Sequence, residues 1–130
     1  MPVLPRKALL MEPVLNVVEV GGAKVAELEA GIVVTERDAT DLVGNAAYLG
    51  AGYVLLRAEQ LAPEFFDLSS GLAGAVMQKF ANYRVGLVIV GYDVGRASES
   101  LLALMTESNR GRSVWFVVDR DEALARIEGT

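Results

Sequence analysis

Residues 85–91 read VGLVIVG, and apart from Gly86 every residue from Val85 to Val90 is a branched aliphatic. A strand with one wet face alternates polar with apolar. A run without alternation leaves no face for water and belongs inside a sheet covered on both sides, and Gly91 lets the chain leave it. Two further runs have the same character: Tyr53–Leu56 (YVLL) before it and Val114–Val118 (VWFVV) after it.

The segments between these runs change period. Leu72, Ala73, Val76, Met77 and Phe80 fall on one helical face, with Gln78, Lys79 and Asn82 on the other. Ser98 is placed to start a second helix, with Leu101, Leu102, Leu104 and Met105 expected inward and Gly111 beyond its end. Upstream, Thr35 caps a helix carrying Ala39, Leu42, Val43, Ala46, Ala47 and Leu49 or Gly50 at helical spacing, stopped by Gly50 and Gly52. Downstream, Asp119 and Glu122 have capping-box spacing ahead of Ala123, Leu124 and Ile127. Val14–Val20 and Lys24–Leu28 flank Gly21-Gly22, a pair that tolerates positive φ, and read as a hairpin. A short Ile32–Val34 stretch follows Gly31. The resulting order is β, β, α, β, α, β, α, β, α. It specifies an α/β fold with a mixed, mostly parallel sheet of about five strands and helices packed on it through right-handed crossovers.

Composition bounds the chemistry. At 130 residues and 52% hydrophobic content the chain suits one domain, expected over residues 14–130. Residues 1–13, MPVLPRKALLMEP, hold three of the four prolines and no period, and read as a loose extension. No apolar run is long enough to span a bilayer, so a cytoplasmic chain without membrane insertion is expected. Cysteine and histidine are absent, which removes disulfides, thiolate nucleophiles, His general bases and the common zinc sites. A net charge of −5 has the wrong sign for binding a nucleic acid through its phosphates.

Residues 65–74, FFDLSSGLAG, carry the candidate site: two adjacent hydroxyls, Ser69 and Ser70, stand where an apolar stretch turns into a helix. A serine there can simply cap the helix, a contribution of roughly 1 kcal/mol. It can equally be a modified hydroxyl. A phosphate on Ser70 would sit at the positive end of the helix dipole, tolerated by the fold but not by a partner docked there. Both readings remain open from the residues alone.

The same stretch resembles the signature of the STAS domain, shared by anti-sigma factor antagonists and the tails of sulfate transporters: an apolar pair, an acid, two hydroxyl residues and glycine-leucine-glycine. Phe65, Phe66, Asp67, Ser69, Ser70, Gly71 and Leu72 match it, with Leu68 inserted after the acid, Ala73 in place of the second glycine and Gly74 one residue later. Residues 85–91 and 114–127 are similar to the later strands and closing helix of that family. Taken over the whole chain, the likeness is closer to an uncharacterised bacterial family known only as domain of unknown function four-one-eight-zero. The STAS resemblance implies a non-catalytic regulatory module. Its partner would be a protein, such as a histidine-kinase-like anti-sigma kinase. Ser70 would be the modifiable or partner-facing hydroxyl, Ser69 the cap or secondary acceptor, Asp67 the flanking acid, and Gly71 and Gly74 permission for close approach. No cofactor and no metal are expected. The alternatives are a small-ligand- or metal-binding enzyme on the same sheet and a purely structural subunit.

Other features are weaker. Asp93 follows the VGLVIV strand on the customary ligand side of open α/β sheets, but an acid there is also a good loop residue. Glu59, Glu64 and Asp67 could join Asp93 around Mg²⁺. Tyr83-Arg84 and Asn109-Arg110-Gly111-Arg112 could receive a phosphate, although arginine-bearing turns are usually only solvated. GGAK at 21–24 and VGYDVGR at 90–96 lack the complete P-loop and dinucleotide fingerprints.

Overall fold

The computed structural model describes residues 13–130; apart from Pro13, the extension expected over residues 1–13 lies outside the described residues. One sheet organises the chain: β1 (Val14–Val20), β2 (Ala23–Ala30), β3 (Tyr53–Arg57), β4 (Gly86–Val90) and β5 (Val114–Val117), side by side in sequence order. β1 and β2 are antiparallel, and β2 to β5 run parallel. Gly21 and Gly22, with φ of +56° and +86°, make the hairpin turn that side chains with a Cβ would resist.

Among the described residues, four α-helices connect and cover the strands: α1 (Glu36–Tyr48), α2 (Leu72–Tyr83), α3 (Glu99–Arg110) and α4 (Arg120–Glu128). Strand alternation divides the core in two. Ala26, Leu28, Val54, Leu56, Leu87, Ile89, Val114 and Phe116 face α1, α2 and α3. Val25, Leu55, Val88, Trp115 and Val117 face α4, which contributes Ala123 and Ile127. β4 is therefore buried on both faces, as its unbroken apolar run requires: Leu87, Val88 and Ile89 are each at most 1% exposed. Each such side chain contributes about 1.5–3 kcal/mol through burial.

The helix starts are set by local side chains. Thr35 Oγ1 accepts from Asp38 N while Asp38 Oδ2 accepts from Thr35 N, a full capping box. Ser98 Oγ accepts from Leu101 N. Asp119 Oδ1 accepts from Glu122 N as expected, but the Glu122 carboxylate reaches back to Val118 N, one residue before the cap. Three sequence expectations need correction. Leu102 is 41% exposed, because α3 turns only Leu101 and Met105 fully inward. Leu49 is 42% exposed and is the C-cap of α1. Val118 lies past the end of β5 and is 78% exposed.

Candidate functional site at the carboxyl edge of the sheet

The parallel strands β3, β4 and β5 all deliver their connections to one edge. Between β3 and α2 the chain makes three short 3-10 turns, Ala58–Gln60, Pro63–Phe66 and Leu68–Ser70. Two buried residues hold this segment down. Gln60, the buried polar side chain of the described core, accepts from Arg57 N at 2.9 Å and donates to the Leu28 carbonyl at 3.1 Å, tying the connection to β2. Phe65 is fully buried and packs edge-on against Phe66.

The five sequence-predicted site residues come together here, all exposed. Ser70 Oγ donates to the Glu64 carbonyl at 2.5 Å and accepts from Leu72 N at 3.2 Å. It thereby caps α2 from one residue outside, because the formal N-cap, Gly71, has no side chain to do so. Gly71 sits at φ +79°, the left-handed conformation that turns the chain into the helix. Ser69 does not cap. Its hydroxyl donates to Asp67 Oδ1 at 2.6 Å, and its N–H goes to the same oxygen at 3.1 Å. The capping acid of this turn is thus Asp67. Leu68, the inserted residue, is half-buried and packs on the core, so the insertion is absorbed inward. A Cβ at Gly74 would meet nothing within 4 Å, which leaves open surface over the first turn of α2. Among the described residues, the N–H groups of Ala73 and Gly74 find no acceptor, while Ala75 N bonds the Gly71 carbonyl.

Sequence reading missed a pairing. Phe66 stacks on Tyr92 with ring centroids 4.1 Å apart and planes 13° from parallel. Each ring directly precedes an aspartate that accepts from the N–H two residues on: Asp67 from Ser69 and Asp93 from Gly95. The repeated pattern aromatic–Asp–aliphatic–small, FDLS and YDVG, was the signal. These twin turns rim a hollow of about 420 Å³ lined by Leu61, Pro63, Phe66, Tyr92, Asp93 and Arg96. Asp93 is therefore used by its own turn. Among the described residues no three acids gather where a cation could be held, so the Mg²⁺ grouping of Glu59, Glu64, Asp67 and Asp93 does not form. Across the edge, Arg120 at the start of α4 makes a two-point contact with Glu27, at 2.8 and 3.1 Å. That hydrogen bond, and secondarily the opposite charge, raises the Arg120 pKa above its ordinary value.

The chain is thus a small α/β domain whose sheet is sequentially ordered, with an exposed serine at the start of α2. The chain belongs to the family described as Domain of unknown function (DUF4180), whose model matches residues 21–127. No curated protein and no solved structure matches the chain. Among the described residues, no helix is long and apolar enough to cross a membrane.

Proposed function

We propose that this protein is a STAS-like regulatory interaction module that works through the surface from Asp67 to Gly74, with Ser70 as the hydroxyl that a partner reads or modifies. The observation that carries this reading is the state of Ser70. The residue is exposed, its hydroxyl is oriented by two backbone partners, and it stands beside free N–H groups at the positive end of α2. A phosphate there would exchange the bond to the Glu64 carbonyl for contacts to Ala73 and Gly74 N–H, so α2 keeps its cap. A surface docked over Gly71 and Gly74 would instead meet a dianion. Modification then acts on binding more than on folding. The neighbouring hollow between Pro63, Phe66 and Tyr92 gives a partner side chain a place to anchor.

The reading names a protein partner, of the histidine-kinase-like ATPase kind, and gives the chain itself no catalytic step. Affinity capture with the parent chain as bait, followed by incubation of the captured fraction with ATP and peptide mapping, tests it. The expected product is phosphate on Ser70. Phosphate on other residues only, or capture that is unchanged when Gly74 is replaced by a bulky residue, contradicts it.

A further inference from the structure

The opposite edge of the sheet carries a second feature that the regulatory reading does not use. Arg84, directly after α2, and Arg112, just after α3, are far apart in the chain. The fold nevertheless brings them to one hollow of about 370 Å³ at the amino ends of β3, β4 and β5, with Gly52, Tyr53, Gly86 and Ser113 in its lining. Neither guanidinium has a carboxylate within ion-pair distance among the described residues: the four ion pairs there use Arg57, Lys79, Arg110 and Arg120.

A cation near a helix C-terminus is ordinarily explained by the exposed carbonyls of the last turn. At the end of α3 that role belongs to a different residue. Arg126 from α4 donates to the Asn109 carbonyl at the end of α3 while lying over the Trp115 ring, 4.6 Å from its centroid. The side chains of Arg84 and Arg112 make no hydrogen bond to any described residue, although each guanidinium has five donors. Arg84 is also the one described residue other than glycine at positive φ, 55°, at the C-cap of α2 where glycine is the low-strain choice. A strained, exposed arginine with no side-chain partner among the described residues, lining one hollow with a second of the same kind, is poorly accounted for by stability alone.

We propose that this hollow is a binding site for a phosphate dianion carried by a small organic molecule. Arg84 and Arg112 grip the phosphate from two sides, the pairing for which the planar guanidinium fork is suited. Ser113 supplies a hydroxyl, and the Tyr53 ring forms a wall for the organic part. That wall is fixed: Tyr53 stacks on Trp115 at 5.6 Å, and Gly86 is the residue type that leaves room for it, since a Cβ there would lie 2.6 Å from the ring.

The test is calorimetric titration of the full chain with inorganic phosphate and with ribose 5-phosphate at constant ionic strength, sulfate and chloride serving as controls. Arg84→Gly and Arg112→Gln are the variants, with thermal melting to confirm that each is folded. Arg84→Gly removes the charge while easing the backbone, so loss of binding in it cannot be ascribed to unfolding. The parent is expected to bind ribose 5-phosphate more tightly than inorganic phosphate, and each variant to bind both about tenfold or more weakly. A parent that binds neither, equal affinities in parent and variants, or loss in only one of the two variants overturns the two-arginine site.

Discussion

At the carboxyl edge of the sheet Asp67 and Asp93 each turn back on their own backbone, closing a short turn through Ser69 N and Gly95 N. At the amino edge Arg84 and Arg112 line a shared hollow, and their side chains make no ion pair with any described residue. The acids look functional in the sequence, as a cluster around a strand end, and are spent on local structure. The arginines look like ordinary solvated turns and are the groups left with free donors. The type of a polar residue therefore says less about its role than where its hydrogen bonds go. By the same measure Ser70 stands between the two: its hydroxyl has two partners, yet the residue is exposed.

The largest expected effect lies under the carboxyl edge. Gln60→Leu removes both bonds of a buried amide and leaves Arg57 N and the Leu28 carbonyl unpaired, which should cost about 3 kcal/mol by urea unfolding. The 58–70 connection would loosen with it, visible as faster amide exchange at Ser69 and Ser70 than in β4. If exchange there is unchanged, Gln60 is not what holds the site in place. At the amino edge, Gly86→Ala forces a methyl against the Tyr53 ring, which is itself held by Trp115. A loss of roughly 1–3 kcal/mol is expected.

Three smaller changes sharpen the contrast. Asp67→Ala removes the cap of the Leu68–Ser70 turn and should cost about 1 kcal/mol. Asp93→Ala should cost a similar amount, since it does the same work in the Val94–Arg96 turn; a much larger loss at either position would give that acid a role beyond its turn. Gly74→Ala fills open space within a helix and should raise stability by about 0.5–1 kcal/mol. Thermal melts compare it directly with Gly86→Ala. Opposite signs for the two alanines are the expected outcome, because one glycine is needed by a neighbour inside the chain and the other is not.

Much of the fold was legible because its determinants are either periodic or close in sequence. The unbroken Val85–Val90 run, the Gly21-Gly22 turn and the caps at Thr35, Ser98 and Asp119 all act over a few residues, and all sit where the pattern puts them. Leu102 was misplaced inward because four large apolar residues in five positions exceed the width of the face that α3 buries. The candidate site was legible as a location and less so as chemistry. Ser70 capping Leu72, rather than Ser69, depends on Gly71 taking the left-handed conformation. Gln60, the Phe66–Tyr92 stack and the meeting of Arg84 with Arg112 depend on contacts between distant segments. No local pattern encodes which strands lie side by side.

The central claim is that Ser70 is a switch on a partner-facing surface and not only a cap. Its most direct test is a titration of Ser70→Ala, Ser70→Asp and the parent chain against the partner recovered by capture, with melting curves for all three. Ser70→Ala loses an exposed cap and should melt lower by an amount equivalent to about 1 kcal/mol. Ser70→Asp can still accept from the first turn of α2 and should stay within about 0.5 kcal/mol of the parent. Binding should rank the other way: the Ala variant stays near the parent, and the Asp variant is weaker by about tenfold or more, a difference of roughly 1.4 kcal/mol. Equal affinities for all three chains, alongside the expected melting curves, would contradict the switch and leave Ser70 as a cap alone.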